Sequence, residues 1–310
     1  MPEQKAGSGL APESVFESVR IHEVGPRDGF QSLDTVVPTE VKLAVIEGLV
    51  GAGFDSIELA AFVNPRKVPQ MADAAMLTRR VLETFGRERF RGLVPNVRGA
   101  ELACEAGLRR LNFVISASES HNRANVGRTI DESVVELIRV RERFADVDLR
   151  LNIATVFSCP YQGRVPIEDV DRLVSIAHAN GISQIAISDT MGDANPRAVR
   201  EVVEHLLATF PTIRFFAHLH DTDGMAMVNC HVAAQLGIAD FETSVAGLGG
   251  CPFAPGAGGN LATEDLVNMF ESIGVSTGIN LERLLDVARY VREQIQPNPS
   301  GRLVLRQPKE

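Results

Sequence analysis

The sequence predicts an α/β protein whose parallel strands close into a (β/α)₈ barrel, the TIM-barrel architecture. Short apolar strands alternate with helical patterns about eight times along the chain. Four helical patterns end in a Gly that precedes an apolar residue, at Gly53, Gly107, Gly181 and Gly237, and Gly accepts the left-handed conformation that closes a helix. Eight strand–helix units occupy about 255 residues, the usual size of such a barrel.

The units follow one another in regular order. The predicted strands are residues 19–24, 55–61, 91–95, 110–116, 148–156, 183–188, 212–218 and 240–245. The predicted helices are roughly 39–51, 70–86, 98–106, 131–144, 167–179, 196–209, 224–236 and 261–273. A doubly wound open sheet is the main alternative. It usually carries a phosphate-binding glycine turn after its first strand, whereas this chain reads GPRDGFQ there.

A chain of 310 residues suits one large barrel or two smaller domains. We expect a single catalytic domain over residues 18–296, ending in a short C-terminal helical extension near 281–295. Residues 1–17 are expected to form a flexible N-terminal arm, and residues 297–310 a loose tail rich in Pro, Asn, Ser and Gly.

Composition argues against several classes of partner. The net charge is −9 without a long basic block, so no nucleic-acid partner is expected. No apolar run approaches the roughly 20 residues of a membrane helix, so no membrane partner is expected. The N-terminus lacks the apolar centre of a signal peptide. The four scattered cysteines form no Cys-x-x-Cys pair and fit a reducing compartment, so we expect a cytoplasmic protein.

Two histidines, His218 and His220, end the seventh predicted strand. Residues two apart on a strand project from the same face. Two neutral imidazoles crowded together are well suited to hold a divalent metal. The alternative is a surface loop with incidental histidines.

Further ionisable residues stand where other strands end, which is where a barrel places its active site. Arg27 and Asp28 follow the first strand, Glu58 lies on the second, and Asp189 ends the sixth. The eighth strand leads into the glycine-rich segment GLGGCPFAPGAGGN (247–260). Buried charges are costly unless paired or bound to metal, so this clustering predicts a shared site at one rim.

Five segments carry a resemblance to a known family: EVGPRDGFQ (23–31), FVNPRKVPQM (62–71), CPYQGRVP (159–166), HLHDT (218–222) and VAGLGGCPFAPGAGGNLATEDLV (245–267). They resemble hydroxymethylglutaryl-CoA lyase, a metal-dependent TIM-barrel lyase related to isopropylmalate and homocitrate synthases. The likeness spans about residues 19–290, with the glycine-rich block as its most specific part.

The resemblance implies that a divalent metal, Mg²⁺ or Mn²⁺, is held by Asp28, His218, His220 and Asn260. Two oxygen and two nitrogen ligands leave open positions for substrate oxygens, which suits an octahedral ion better than a closed zinc site. Asp28 could instead be a turn residue before Gly29. Asn260 could instead cap the following helix.

The implied reaction is carbon–carbon cleavage of a 3-hydroxyacyl-CoA, with hydroxymethylglutaryl-CoA giving acetyl-CoA and acetoacetate in leucine degradation. The metal would acidify the C3 hydroxyl, with Asp28 and His218 acting in catalysis as its ligands. Arg27 would hydrogen-bond the thioester oxygen as charge develops. Cys251, on a mobile glycine-rich loop, would protonate the enolate carbon or shuttle the proton as general acid/base. The alternative is a glycine-rich connector with a spectator Cys.

Two further carboxylates have less specific roles. Glu58 would orient Arg27 or a bound water, or be paired for structure alone. Asp189 would support the site from behind or relay a proton. The CoA phosphates need cations near the barrel mouth, for which the candidates, each also explicable as an ordinary solvated charge, are Arg66, Lys67, Arg123, Arg128 and Arg164.

The chain departs from the family in the residues expected around the acyl group. Asp34 stands where the family has a basic residue, and Asn125-Val126-Gly127-Arg128 replaces Asn-Ile-Asn-Cys. The substrate could therefore be another branched 3-hydroxyacyl-CoA, such as citramalyl-CoA or a longer terpenoid-derived acyl-CoA. A condensing synthase of the same superfamily and a catalytically silent binding protein are the alternative functions. A homodimer or higher homo-oligomer is expected by resemblance.

Overall fold

Eight parallel strands close into a barrel in the computed structural model, which describes residues 16–250 and 258–306. Each strand pairs with the next along the chain, and the first pairs with the last. The strands are β1 (Arg20–Glu23), β2 (Ile57–Ala61), β3 (Phe90–Val94), β4 (Arg110–Ser116), β5 (Asp148–Ala154), β6 (Gln184–Asp189), β7 (Arg214–Leu219) and β8 (Asp240–Thr243). The barrel prediction is confirmed, and every predicted strand occurs with ends within two residues of those expected.

Helices surround the barrel and alternate with its strands. They are α1 (Thr39–Gly51), α2 (Ala74–Phe85), α3 (Val97–Glu105), α4 (Glu119–Val126), α5 (Ile130–Arg143), α6 (Ile167–Ala179), α7 (Pro196–Thr209), α8 (Ala226–Gln235), α9 (Thr263–Ser272) and α10 (Leu281–Gln294). Local sequence explains where two of these helices start. Thr129 and Glu132 form a reciprocal capping box at the start of α5. The Asn195 side chain accepts from the Ala198 backbone N–H at the start of α7.

Three local features differ from the prediction. The second helix begins four residues later than expected, because Pro69–Met71 forms a separate 3₁₀ turn. Helix α4 was not predicted; the Ser118 side chain caps its start, and Gly127 closes it in the left-handed conformation. Residues Gly25–Gly29 form a π-helical turn directly after β1. Such turns occur frequently at functional sites.

The barrel interior is unusually polar. Arg150 on β5 reaches Glu242 on β8, which is not a neighbouring strand, so both side chains cross the interior. Arg91 on β3 likewise reaches Gln184 on β6. Apolar residues on the alternate positions of the strands pack against the helices instead, as Leu151 does. The hydrophobic core therefore lies between the sheet and the helices.

The C-terminal segment after α10 is packed against the barrel as far as residue 306. The backbone N–H groups of Arg302 and Leu303 donate to the Asp265 carboxylate at 2.7 and 2.9 Å. Ser300 Oγ donates to the Gly247 carbonyl at 3.2 Å. The expected loose tail is thus corrected for residues 297–306, because backbone donors find a buried carboxylate there. Most of the expected arm, residues 1–15, lies outside the described residues.

Across residues 16–250 and 258–306, no helix is both long and apolar enough to cross a membrane.

Candidate active site

The π-helical turn after β1 aims Arg27 and Asp28 into the mouth of the barrel. Arg27 is 7% exposed. Its Nε donates to Glu58 Oε2 at 2.5 Å, and its Nη1 donates to Asp28 Oδ1. Burial lowers the pKa of Arg27, but the Asp28 and Glu58 carboxylates outweigh it and raise the pKa above its ordinary value. Arg27 therefore stays charged inside the barrel.

Glu58 is held from two sides. One oxygen accepts from Arg27, and the other accepts from Asn112 Nδ2 at 2.7 Å. With both oxygens engaged, the carboxylate fixes the direction of the Arg27 guanidinium.

The two histidines at the end of β7 are buried and lie side by side. His218 Nε2 and His220 Nε2 are 3.3 Å apart, and their exposed fractions are 6% and 4%. A surface loop with incidental histidines is therefore excluded. Burial lowers the pKa of His220 to about 4, so this imidazole is neutral near pH 7 with a lone pair available to a metal.

Asn260 meets this pair from the segment after β8. It forms an isolated antiparallel bridge with His220, and its Nδ2 donates to Asp28 Oδ2 at 2.7 Å. Helix α9 begins at Thr263 after Ala262, so the helix-cap explanation of Asn260 is excluded. Burial raises the pKa of Asp28, but Arg27, His218, His220 and Asn260 together hold it below its ordinary value. Asp28 is thus a carboxylate at neutral pH.

One glycine permits this close approach. Gly249 has φ +117°, a conformation that L side chains rarely adopt. A Cβ placed on it would collide with the Asn260 amide and lie 3.4 Å from Asp28 Oδ2. A side chain at position 249 would therefore displace Asn260 from Asp28.

The donor set fits a divalent cation. Ligand atoms of Asp28, His218 and His220 all lie within 4.8 Å of one another. Two neighbouring ligands at about 2.1 Å from an octahedral ion stand about 3 Å apart, which is close to the spacing of the two Nε2 atoms. Asn260 Oδ1 is buried and has no hydrogen-bond partner among the described residues. An unsatisfied oxygen beside a carboxylate and two imidazoles suits a cation that takes oxygen and nitrogen ligands.

Arg27, Asp28, His218 and His220 line a cavity of about 350 Å³. Apolar side chains on its wall include Val63, Leu93, Val114 and Val126. Polar side chains on its wall include Asn64, Asn96, Asn125, Asn152, Ser188 and Thr190. The cavity therefore combines the candidate metal ligands with both apolar and polar side chains, as is typical of a small-molecule site.

Two of the five cations expected to bind CoA phosphates line this cavity, Lys67 and Arg128. The Arg128 Nη1 donates to the Pro95 carbonyl at 2.9 Å, which holds the guanidinium at the wall. The other three candidates, Arg66, Arg123 and Arg164, are not among the described cavity-lining residues.

Other expected residues stand elsewhere. Asp189 accepts from the backbone N–H groups of Gly192 and Ala194 at 2.9 and 3.1 Å. Its carboxylate therefore shapes the β6–α7 loop rather than the cavity wall. Burial raises its pKa to about 7.

Asp34 is exposed and does not line the cavity. Cys251 lies outside the described residues.

Sequence reasoning missed several polar residues of the barrel interior, among them Asn112, Asn152 and Glu242. Asn112 and Asn152 each stand between two apolar residues of their strand, and Glu242 follows Phe241. A buried polar residue on an apolar strand was the signal that could have identified them, since burial of such groups is costly without a partner.

Comparison with known proteins agrees with the geometry. The family model described as HMGL-like matches residues 18–291. The chain belongs to the HMGL-like family. The hydroxymethylglutaryl-CoA lyase of Bacillus subtilis is 42% identical over 290 residues, covering 93% of this chain and 97% of that protein. The (R)-citramalyl-CoA lyase of Chloroflexus aurantiacus is 40% identical over 281 residues, covering 87% and 89%.

Solved structures of HMGL-like enzymes share the barrel. A crystal structure of the Bacillus subtilis HMG-CoA lyase superposes with a TM-score of 0.88 at 41% identity, covering 93% of this chain and 97% of that one. An HMG-CoA lyase from Acinetobacter baumannii, in complex with coenzyme A and 3-methylmalate, superposes with a TM-score of 0.89 at 36% identity, covering 93% and 94%.

Proposed function

We propose that this chain is a divalent-metal-dependent lyase that cleaves a carbon–carbon bond of a 3-hydroxyacyl-CoA. The lyase class follows from its HMGL-like relatives, which cover nearly the whole chain. The observation that carries the proposal is the convergence of Asp28, His218 and His220 beside a buried, charged Arg27 in the wall of one cavity. Such a site can hold two substrate oxygens and receive negative charge at a third.

A divalent cation, bound by Asp28, His218, His220 and Asn260, would supply Lewis-acid polarisation that makes the C3 hydroxyl more acidic. The chain's own contribution begins with Arg27. Its guanidinium is held by Glu58 and Asp28, so it needs no reorganisation to donate to the thioester oxygen. Negative charge gathers on that oxygen as the acetyl-CoA fragment leaves as an enolate. Preorganised donors of this kind are a major source of catalysis.

The proton that ends the reaction must reach the enolate carbon. We propose that Cys251 accepts the proton that the C3 hydroxyl loses, as general base, and then gives it to the enolate carbon, as general acid. The support is its place in the glycine-rich segment that follows β8. Gly250, the residue before it, lines the cavity, which supports a thiol delivered from above the substrate.

The acyl group is proposed to be hydroxymethylglutaryl or a close branched analogue such as citramalyl. The relatives include lyases named for both substrates. Val126 and Arg128, which differ from the family at these positions, line the cavity. They favour an acyl group that differs from hydroxymethylglutaryl on this side. Lys67 and Arg128 are proposed to meet anionic groups of the CoA substrate at the mouth.

The metal ion and the oligomeric state are also matters of proposal. We propose Mg²⁺ or Mn²⁺ as the metal, because both prefer oxygen-rich octahedral sites. A homodimer or higher homo-oligomer is proposed by analogy with the family, and light scattering of the purified protein would test it.

The decisive experiment is an activity assay with a substrate panel. The purified protein is incubated with Mg²⁺ and several 3-hydroxyacyl-CoAs, including hydroxymethylglutaryl-CoA and citramalyl-CoA, and acetyl-CoA release is measured. We expect metal-dependent release from at least one of them. Synthesis from acetyl-CoA and an oxo acid, without cleavage, would point to a condensing synthase. Binding without turnover of any thioester would point to a silent binding protein.

A further inference from the structure

Glu242 joins a metal-binding histidine to a buried arginine. Its Oε2 lies 3.1 Å from His218 Nδ1, and its Oε1 accepts from Arg150 Nη1 at 2.5 Å. Glu242 is 2% exposed and Arg150 is 1% exposed. The carboxylate therefore connects β7 and β5 through the inside of the barrel, directly behind the candidate metal site.

Arg150 is held against an aromatic ring as well as the carboxylate. Its guanidinium carbon lies 3.5 Å from the centroid of the Phe216 ring, a cation–π contact. Phe216 stands two residues before His218 on β7, so both project from the same face of the strand. Phe216, Arg150 and Glu242 thus form a layer beneath His218.

Stability alone is a poor explanation for this layer. A buried ion pair can often be replaced by apolar residues of similar volume with little cost or even a gain in stability. Arg150 also leaves its Nε and Nη2 buried without hydrogen-bond partners among the described residues. The layer is therefore costly to bury and incompletely paired, yet its Glu242 carboxylate contacts the candidate metal ligand His218. Its effect on that ligand is the better explanation for it.

We infer that Glu242 is a positioning residue that sets the tautomer and ring orientation of His218, with Arg150 holding the carboxylate in place. When Nδ1–H donates to Glu242, the proton is on Nδ1 and the Nε2 lone pair points toward Asp28 and His220. This is the tautomer that can bind a metal, and outer carboxylates commonly fix it in this way. The inference rests on the metal site of the proposed function, but it concerns metal affinity and not the identity of the substrate.

Glu242→Gln tests the tautomer directly. Arg150 can only donate, so the glutamine oxygen must face Arg150 and its NH₂ group must face His218. His218 Nδ1 then has to accept, which moves the proton to Nε2 and blocks the metal. We expect the dissociation constant for Mn²⁺, measured by calorimetry on the metal-free protein, to rise about 10–100-fold.

A second substitution separates positioning from packing. In Glu242→Gln/Arg150→Met the glutamine is free to turn its oxygen toward His218, so Mn²⁺ should bind more tightly than in Glu242→Gln alone, though still more weakly than in the wild type. The matched control is Asp240→Asn, on the same strand and buried, whose carboxylate binds Arg20, Arg214 and His22 and touches no candidate ligand. It should lower the melting temperature and leave Mn²⁺ affinity unchanged.

Two results would overturn the inference while leaving the proposed metal site intact. One is wild-type Mn²⁺ affinity in Glu242→Gln or, if that variant does not fold, in the double variant. The other is an affinity that simply follows the melting temperature across all variants, Asp240→Asn included. A wild-type protein that binds no Mn²⁺ would overturn the metal site of the proposed function and this inference with it. A wild type that binds Mn²⁺ but cleaves no thioester would overturn only the proposed reaction.

Discussion

His218 and His220 present their Nε2 atoms to each other at 3.3 Å within the barrel. A cation bound between these two nitrogen atoms would take a lone pair from each imidazole. We expect His218→Ala and His220→Ala each to weaken Mn²⁺ binding by more than about 100-fold, since a lost ligand should cost more than a lost outer hydrogen bond. Calorimetry on the metal-free protein measures this. His205→Ala, whose imidazole binds Asp171 at a partly exposed position, should bind Mn²⁺ normally. Equal losses in all three variants would argue against the site.

Arg27→Lys should lower kcat by about 10²–10³-fold, the usual loss when one donor to a developing oxyanion is removed. Lys keeps the charge but cannot contact Glu58 and Asp28 with a planar fork. Steady-state kinetics with the preferred acyl-CoA gives the result, with Arg197→Lys in an exposed pair with Glu201 as control. A change confined to KM would mean that Arg27 contributes to binding alone.

Cys251→Ala should retain metal and substrate binding while turnover falls by about 10²–10⁴-fold, the range of a lost general acid. The matched control is Cys104→Ala, at a partly exposed position of α3. Acetyl-CoA release and Mn²⁺ titration are measured on both proteins. Unchanged turnover in Cys251→Ala would remove this thiol from the mechanism.

Glu264→Gln should change how stability depends on pH. Burial raises the pKa of Glu264 from 4.5 to about 8, and its Oε2 accepts from the Ala246 N–H at 3.0 Å. The folded state therefore holds a proton that the unfolded state releases above about pH 4.5. The wild type loses stability from this group as the pH rises from about 4.5 to 8, by at most roughly 1.4 kcal/mol per pH unit.

Glutamine removes that loss, so the stability of Glu264→Gln relative to the wild type should increase between pH 5 and 8. Urea unfolding at several pH values measures the difference. Glu282→Gln, exposed at the start of α10, is the control. Parallel curves for Glu264→Gln and the wild type would show that Glu264 is not protonated in the folded state.

Asn152→Leu should shift acyl selectivity. Asn152 lines the cavity at 5% exposure, and its Oδ1 has no hydrogen-bond partner among the described residues. Leucine fills a similar volume with an apolar surface. We expect the ratio of kcat/KM for a larger apolar C3 substituent to that for hydroxymethylglutaryl-CoA to rise about tenfold, within the range of one altered pocket contact. A uniform fall for all substrates, with normal Mn²⁺ affinity, would show that Asn152 does not select the acyl group.

The sequence predicted the barrel because its signals are local. Strand and helix periods and glycines at helix ends are each readable within a few residues. The same holds for the paired histidines, since a spacing of two on a strand places both on one face. Helix α4 and the turn at Gly25–Gly29 were missed because their short, mixed sequences have no clear period, and tertiary contacts stabilise them.

The sequence by itself determined the order of the strand–helix units and the face on which His218 and His220 project. Only the tertiary structure decided that Arg150 meets Glu242 and that Asn112 and Arg27 share Glu58. It also decided that Asn260 lies against Asp28 and not at a helix cap. These contacts join residues far apart in the chain. Their distances depend on the register and tilt that the strands adopt when the barrel closes, which no local pattern encodes.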